Sequence, residues 1–248
     1  MNKTEFISLF LDFSRLNNIE MSDQTAEKFY SLCTCLVETN KIHNLTAIKE
    51  EKDIMVKHFI DSLLISQYIP ENARLLDVGC GPGFPSLPLA IYRPDISVVG
   101  VDSTSKKINY VNETAKKLGL GNITAISARA EDIAKTDMRE SFDFVTARAV
   151  ASLPVLSELC LPFAKVDGTF LAMKAQNSDQ EIKSSLRAID KCGGEYYKTV
   201  FKKLYVVDDT DSEAEEKNET RSLIIVKKVK KTPEIYPRHY SKITKKPL

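Results

Sequence analysis

Apolar positions in the N-terminal part of the chain recur at helical spacing. Two groups stand out, the first formed by Phe6, Leu9, Phe10 and Phe13 and the second by Ala26, Phe29, Leu32 and Leu36. Each group lies on one face of a helix with 3.6 residues per turn, and no strand-like alternation accompanies it. The pattern predicts a small helical cap over residues 1–70.

After residue 70, apolar runs rich in Val and Ile alternate with helical patterns. Such alternation is typical of strand–helix–strand crossovers and predicts a mainly parallel sheet. The predicted strands are Arg74–Val78, Ser97–Val101, Ile123–Ser127, Phe142–Ala147 and Thr169–Met173. The predicted helices are Pro85–Tyr92, Ser105–Leu118, Ala130–Ala134, Leu153–Leu161 and Asp179–Asp190.

The pattern changes after Gly193 and Gly194. Tyr196–Val207 and Arg221–Val229 are two extended runs with no helical pattern between them. They predict an antiparallel hairpin that closes one edge of the sheet. Together with the five earlier strands, they predict an α/β fold with a seven-stranded, mainly parallel sheet.

A glycine-rich loop follows the first predicted strand. Residues 75–84 run from an apolar segment through Asp77 to Gly79, Gly81 and Gly83, and end at Phe84. Residues without a Cβ let backbone N–H groups approach a ligand closely at the start of the next helix. A dinucleotide fingerprint needs its third glycine at the position of Phe84, where helix and strand pack together. This difference disfavours a nicotinamide-dependent dehydrogenase.

The spacing acid-x-Gly-x-Gly-x-Gly, from Asp77 to Gly83, resembles instead the first motif of S-adenosylmethionine-dependent methyltransferases. A carboxylate at the strand end suits a cofactor that carries an amino group and a sulfonium. Asp102 comes directly after the next predicted strand, where a Rossmann-like fold places an acid against ribose hydroxyls. The alternatives are an ordinary tight turn for the loop and a helix N-cap for Asp102.

Charge along the chain adds a candidate RNA contact. The 35 Lys and Arg against 34 Asp and Glu give a net charge of +1, which by itself favours no partner. Asp208–Glu219 is acidic, whereas Lys227–Leu248 carries eight lysines and arginines against Glu234 alone. Basic residues interleaved with aromatic rings suit phosphate contacts and base stacking. A solvated, solubilising terminus is the alternative.

The five cysteines are scattered, with neither a Cys-x-x-Cys pair nor a histidine at metal spacing. They predict reduced thiols and no metal site. The N-terminal residues lack the order of a signal peptide, and no run approaches the roughly 20 apolar residues that a membrane span needs. These features predict a cytoplasmic protein without a membrane contact.

Several separated segments coincide with one family. They are Asn40–Ile48, His58–Leu63, Leu76–Pro85, Val101–Ser103, Arg129–Asp132, Thr146–Ala151, Lys230–Pro233, Tyr236–Arg238 and Lys246–Leu248. On these segments the chain resembles the bacterial small-subunit ribosomal RNA methyltransferase G family, also called glucose-inhibited division protein B. It departs from that family at Ser86 and Ala175, where the family usually has glycine.

The resemblance implies a class I S-adenosylmethionine-dependent methyltransferase with a Rossmann-like fold. Residues 1–70 would form the helical cap, 71–230 the methyltransferase domain and 231–248 a basic C-terminal tail. The implied reaction transfers a methyl group from S-adenosylmethionine to N7 of a single guanosine in 16S ribosomal RNA, free or in the 30S particle. A monomer is expected. The alternatives are a methyltransferase for another RNA position or a small molecule, and an RNA-binding protein with a vestigial cofactor pocket.

The resemblance also implies the site residues. Guanine N7 has an in-plane lone pair and no proton, so its methylation requires no general base. Arg148 ends the fourth predicted strand and is assigned to positioning, with a structural arginine as the alternative. The cofactor-binding candidates are Asp77, Gly79, Gly81, Gly83, Phe84, Asp102, Ala130, Glu131 and Arg148. The RNA-binding candidates are Lys174, Arg238, Lys245 and Lys246, while His58 and Asp61 are candidates for ordering a loop.

Overall fold

The computed structural model describes residues 1–148, 151–175, 179–206 and 217–248. The α-helices of these residues are α1 (Lys3–Leu16), α2 (Asp23–His43), α3 (Glu51–Asp53), α4 (Asp61–Leu63), α5 (Ser86–Tyr92), α6 (Ser105–Lys117), α7 (Ala130–Ile133), α8 (Leu153–Cys160), α9 (Asp179–Lys191) and α10 (Tyr240–Lys245). The strands are β1 (Arg74–Val78), β2 (Ser97–Asp102), β3 (Ile123–Ser127), β4 (Phe142–Arg148), β5 (Ala164–Ala175), β6 (Gly194–Val206) and β7 (Lys217–Lys228).

The seven described strands form one sheet in the order β3-β2-β1-β4-β5-β7-β6. β1 to β5 run parallel, and β7 lies antiparallel to both β5 and β6. The predicted parallel sheet with a closing hairpin is confirmed. β5 begins at Ala164, before the predicted Thr169. The sequence pattern missed this first part because Lys165 and Asp167 are exposed and interrupt the apolar pattern of a buried strand. Ala149, Val150 and residues 207–216, which belong to segments quoted above, lie outside the described residues.

The order of the strands reverses between β1 and β4. The chain passes from β1 to β2 and β3 on one side, and then returns to place β4 on the other side of β1. At such a reversal a crevice opens at the carboxyl ends of the two strands. The glycine loop and Arg148 both lie at this edge.

Both faces of the sheet are covered. Neighbouring residues of β1 illustrate this arrangement, because Leu75 belongs to one buried cluster and Leu76 to another. The first cluster packs under the N-terminal helices, α5 and α6, and the second under α8, α9 and the C-terminal residues. Side chains alternate between the faces of a strand, so a strand buried on both faces is continuously apolar.

The N-terminal helices share their apolar core with the glycine loop. Phe10 and Phe29 have ring centroids 4.8 Å apart, Phe29 and Phe59 are 5.3 Å apart, and Phe59 and Phe84 are 6.0 Å apart. This row of rings runs from α1 through α2 to the residue that ends the loop. The core is thus continuous across residue 70, and the division into 1–70, 71–230 and 231–248 stays a prediction.

A π-helix, Ile54–Ile60, lies between α3 and α4. Such wide turns are rare and occur frequently at functional sites. The π-helix carries His58 and ends directly before Asp61, both of them buried. The π-helix and the residue after it therefore place two buried polar side chains among apolar neighbours.

The C-terminal residues fold back onto the sheet rather than extending into solvent. The guanidinium of Arg139 donates hydrogen bonds to the carbonyl oxygens of Thr232, Pro233 and Tyr236, at 2.7, 3.1 and 2.9 Å. Ile243 of α10 is fully buried in the second cluster. The segment predicted as a basic tail is consequently a packed part of the molecule.

The last features to consider are membrane-spanning helices, cysteines and metal-binding groups. Within the described ranges, no helix has both the length and the apolar character needed to cross a membrane. All five cysteines are free and buried. The described residues include no group of three or more His, Cys, Asp or Glu side chains placed to hold a metal ion.

Candidate active site

The glycine loop has the backbone conformation that its composition predicts. Gly79, Gly81 and Gly83 have φ angles of 74°, 55° and 89°, in the left-handed region that favours glycine. A Cβ on Gly83 would lie 2.7 Å from Cδ1 of Leu87, whereas a Cβ on Gly81 would meet nothing within 4 Å. Gly83 therefore permits close packing of the loop on α5, and Gly81 leaves space open beside the loop.

That open space belongs to a cavity of about 310 Å³ at the carboxyl edge of the sheet. Its lining consists of Leu45, Thr46, His58, Gly79, Cys80, Gly81, Pro82, Phe84, Asp102, Lys107 and Arg148. The cavity brings together five of the predicted cofactor-binding residues, Gly79, Gly81, Phe84, Asp102 and Arg148. The other four, Asp77, Gly83, Ala130 and Glu131, are not part of the lining.

The carboxylate of Asp102 is held in place at the cavity. Its Oδ2 accepts a hydrogen bond from the backbone N–H of Gly81 at 3.1 Å, and its Oδ1 accepts one from the N–H of Thr104 at 2.8 Å. Thr104 itself occupies the N-cap position of α6. Asp102 thus connects the glycine loop with the start of α6, while the side chain remains partly exposed in the cavity.

Asp77 lies under the loop and is fully buried. Its Oδ2 accepts a 2.6 Å hydrogen bond from the hydroxyl of Ser86, whereas its Oδ1 has no partner among the described residues. Burial raises the pKa of Asp77 to about 6, opposed by the hydrogen bond from Ser86. Ser86, one of the departures from the family pattern, therefore supplies a donor to this carboxylate.

Arg148 is fixed by groups from the N-terminal helical region. Its Nη1 donates to the carbonyl oxygen of Lys57 and to Oδ2 of Asp61, both at 2.9 Å. The other oxygen of Asp61 accepts from Nε of Arg221, also at 2.9 Å. Asp61 therefore lies between two arginines and forms an ion pair with each, behind the Arg148 side chain that lines the cavity.

Arg221 was not among the predicted site residues. It lies in β7, inside a run that the sequence presents only as a strand of the closing hairpin. Burial lowers the pKa of Arg221, but Asp61 and Glu219 outweigh this effect and raise it overall. The sequence carries no local signal for this contact, since 160 residues separate Arg221 from Asp61.

His58 stacks on Phe84 with ring centroids 4.4 Å apart and an interplanar angle of 1°. Its Nδ1 lies 3.3 Å from Nη2 of Arg148, and its Nε2 lies 2.8 Å from the hydroxyl of Thr46. Burial, and then the charge of Arg148, lowers the pKa of His58 to about 3. The imidazole is therefore neutral at physiological pH and both of its nitrogens are occupied.

The residues predicted at the adenine end of the cofactor lie after β3. Ala130 is half-buried at the start of α7, and Glu131 is buried. Oε1 of Glu131 accepts a hydrogen bond from the backbone N–H of Tyr240 at 3.1 Å, and the guanidinium carbon of Arg129 lies 5.8 Å from the Tyr240 ring centre. The C-terminal helix α10 thus contacts this segment directly. Cofactor binding by Ala130 and Glu131 stays a prediction.

The four predicted RNA-binding residues have two kinds of environment. Lys174 donates to the carbonyl oxygen of Ala151 and pairs with Glu181, both at 2.8 Å. Arg238 binds the fully buried Glu158 through its backbone N–H, Nε and Nη2, at 2.8, 2.8 and 2.7 Å. Two of the four candidates are therefore engaged within the protein.

The other two, Lys245 and Lys246, are exposed at the end of the chain. Their side chains are free to meet a phosphate backbone without breaking a described ion pair. RNA binding by any of the four residues stays a prediction.

Solved structures with a similar fold include a complex with AdoMet and a methyltransferase. The structure described as M. jannaschii TYW2 in complex with AdoMet has a TM-score of 0.52 and 17% sequence identity, and covers 68% of this chain and 77% of that chain. A precorrin-6y C5,15-methyltransferase from Geobacter metallireducens has a TM-score of 0.51 and 13% identity, and covers 75% and 92%. These likenesses confirm the class I methyltransferase fold.

Relatives at higher identity share one description. The ribosomal RNA small subunit methyltransferase G of Desulforamulus reducens is 46% identical over 225 residues, which is 90% of this chain and 88% of the relative. The protein of that description from Clostridium botulinum strain Alaska E43 is 41% identical over 247 residues, 98% of this chain and 99% of the relative. A family model described as rRNA small subunit methyltransferase G matches residues 23–206. The chain therefore belongs to the rRNA small subunit methyltransferase G family.

Proposed function

We propose that this protein transfers a methyl group from S-adenosylmethionine to N7 of one guanosine in 16S ribosomal RNA. The observation that carries this proposal is the cavity at the carboxyl edge, where the glycine loop, Asp102 and Arg148 meet in a member of a ribosomal RNA methyltransferase family. Action on ribosomal RNA implies that the protein works in the cytoplasm, and we expect it to act as a monomer.

The residues present fit S-adenosylmethionine, which would supply a methyl group activated by a sulfonium. Asp102 offers a fixed carboxylate to the ribose hydroxyls, as in other Rossmann-like sites. The open side of Gly81 lets the loop backbone approach the cofactor. Asp77 is buried under the loop and outside the cavity lining, and its Oδ1 has no partner among the described residues, so its charge complements the amino group of the cofactor from beneath the loop. Ala130 and Glu131 would lie toward the adenine.

The polar groups of the cavity suit a reaction without a general base. His58 is a weak base because of its low pKa, and both of its nitrogens are engaged. The carboxylate of Asp102 accepts two backbone hydrogen bonds. Guanine N7 needs no deprotonation, so the task of the site is to align the reacting atoms, and such alignment contributes up to about 7–11 kcal/mol to catalysis.

Arg148 is the residue that we assign to positioning. Its guanidinium is held by Asp61 and the Lys57 carbonyl, so it offers a rigid wall to the cofactor or the target base. Asp61 also compensates its charge, which favours a site that has to accommodate a cationic methylated purine. We assign phosphate contacts to Lys245 and Lys246, which are exposed. Lys174 and Arg238, the other two candidates, are paired with Glu181 and Glu158 and would have to leave these partners to meet a phosphate.

The test is methyl transfer from labelled S-adenosylmethionine to purified 30S subunits that lack the modification. Borohydride reduction followed by aniline treatment cleaves RNA at N7-methylguanosine. We expect label in 16S RNA and cleavage at a single guanosine, while subunits that already carry the modification accept no label. Label without cleavage would mean that the protein methylates an atom other than N7. Absence of label with both free RNA and 30S subunits would contradict the transferase proposal.

A further inference from the structure

Thr46 lines the cavity, although the sequence marks it only as one residue of a family segment. Its backbone is held on both sides by Asn40, whose Oδ1 accepts from the Thr46 N–H at 2.9 Å and whose Nδ2 donates to the Thr46 carbonyl at 3.0 Å. The hydroxyl is therefore presented by a fixed piece of backbone. Its hydrogen-bond partners determine what it can offer to a ligand.

The first partner is His58, and the direction of this hydrogen bond follows from Arg148. A guanidinium only donates, so Nδ1 of His58, 3.3 Å from Nη2 of Arg148, acts as an acceptor. A neutral imidazole has one donor and one acceptor nitrogen, so Nε2 carries the proton. Nε2 therefore donates to the Thr46 hydroxyl oxygen, 2.8 Å away.

The second partner is the backbone N–H of Ile48, which donates to the same oxygen at 3.1 Å. A threonine hydroxyl has two acceptor lone pairs and one donor proton. Both lone pairs are thus occupied, and no acceptor for the proton is found among the described residues. Toward the cavity, Thr46 can act only as a hydrogen-bond donor.

Guanine and adenine differ at the group beside N7. Guanine presents the acceptors N7 and O6 on this edge, whereas adenine presents the acceptor N7 and the N6 amino donor. A hydroxyl restricted to donation favours O6 and disfavours the amino group. We propose that Thr46 recognises the target base as guanine by donating its hydroxyl proton to O6. This inference rests on the proposed function and adds a specificity-determining residue to it.

The experiment deletes the two partners of this hydrogen bond separately and together. Thr46→Val removes the hydroxyl, and RNA with 2-aminopurine at the mapped guanosine lacks O6 but keeps N7 and the 2-amino group. RNA with inosine there keeps O6 and lacks the 2-amino group, and serves as the matched substrate. Single-turnover transfer rates are measured for each pair, together with RNA dissociation constants in the presence of S-adenosylhomocysteine.

We expect Thr46→Val to lower transfer to the guanine and inosine substrates by about 10- to 100-fold, the discrimination typical of one well-placed base contact. With 2-aminopurine the same variant should lose less than about threefold, because the partner atom is already absent. Thr46→Ser, which restores a hydroxyl, should recover most of the loss. Thr124→Val, which removes an exposed hydroxyl on β3, is the control for the substitution itself.

Equal losses on the guanine and 2-aminopurine substrates, in both rate and affinity, would overturn the inference and leave Thr46 as a support for His58 alone. The inference would also be overturned if Thr46→Val raised the dissociation constant for S-adenosylmethionine by the same factor by which it lowers the transfer rate. The hydroxyl would then serve the cofactor rather than the base. Failure of the wild-type protein to methylate N7 of the guanine substrate would contradict the proposed function itself.

Discussion

At the scale of single residues, a buried carboxylate holds the arginine that lines the cavity. Asp61 accepts hydrogen bonds from Arg148 and Arg221, one on each oxygen, and is almost completely buried. A buried ion pair contributes little net stability compared with an apolar replacement, but removal of one partner leaves an uncompensated charge. Asp61 therefore connects the stability of the fold with the position of Arg148.

We expect Asp61→Asn to lower the free energy of unfolding by about 3 kcal/mol, since two guanidiniums lose their common counter-charge. Transfer activity should fall by more than tenfold because Arg148 is no longer held. Urea denaturation and single-turnover rates measure the two effects. Asp53→Asn is the matched control, because its ion pair with Lys57 is half-exposed, far less buried than that of Asp61, and should contribute less than about 1 kcal/mol. A small loss of stability for Asp61→Asn would contradict the argument.

His58 makes stability depend on pH. Its pKa lies near 3 in the folded protein against 6.5 ordinarily, so below pH 6.5 the unfolded chain binds a proton that the folded chain does not. The free energy of unfolding therefore falls as the pH drops from 6.5 toward 3. Asp77 acts in the opposite direction, because its raised pKa lets the folded chain take up a proton as the pH falls through about 6.

We accordingly expect His58→Gln to flatten the acid side of the stability profile. Urea denaturation at several pH values between 4 and 7 would measure this change in slope. His43→Gln is the control, since His43 is exposed at the end of α2. An unchanged slope in His58→Gln would mean that this imidazole is not the group responsible.

At the scale of elements, the turn from β1 into α5 depends on a residue without a Cβ. Gly83 has a left-handed φ angle and lies against Leu87 and Val111. The loop can therefore pack tightly on its own helix while the open side of Gly81 remains available to a ligand. In the N-terminal region, the π-helix also shapes the cavity, because it places His58 in the cavity lining.

We expect Gly83→Ala to lower the free energy of unfolding by about 1–3 kcal/mol, from backbone strain and from the contact with Leu87. The affinity for S-adenosylmethionine, measured by calorimetry, should fall as the loop is displaced. Gly121→Ala is the control, because a Cβ there meets nothing within 4 Å. Equal stability of the two variants would show that the loop tolerates a side chain at residue 83.

At the scale of the whole molecule, the C-terminal basic residues have two kinds of environment within one short segment. Arg238 neutralises Glu158, which is fully buried in α8, while Lys245 and Lys246 remain exposed. Basic character alone does not distinguish a structural cation from an RNA contact. The structure assigns Arg238 to an internal ion pair and leaves the two lysines accessible.

We expect Arg238→Ala to lower the free energy of unfolding by about 3 kcal/mol, because Glu158 loses its counter-charge. The double variant Lys245→Ala, Lys246→Ala should keep stability within about 0.5 kcal/mol and reduce the salt dependence of RNA binding by a slope of about 1–2. Denaturation and binding titrations at several salt concentrations separate these effects. An unchanged salt slope in the double variant would exclude phosphate contacts by these lysines.

Much of the fold was predictable from local patterns. β1 and β3 have the predicted bounds, and the helices after β1, β2 and β3 begin within one residue of their predictions, because apolar periodicity and glycine spacing are short-range properties. The predicted cofactor loop likewise has its left-handed glycines, since acid and glycine spacing reports directly on backbone geometry. The polar contacts of the site were less predictable, and Arg221 and Thr46 were missed as individual residues.

The sequence by itself determined the order of strands and helices, the glycine loop and the family, since each is encoded within a few neighbouring residues or in their spacing. Only the tertiary structure decided which charges meet. Arg148 lies 87 residues from Asp61 along the chain, and Arg238 lies 80 residues from Glu158. Such pairs form because packing brings distant segments together and burial then requires each charge to find a partner, which no local pattern records.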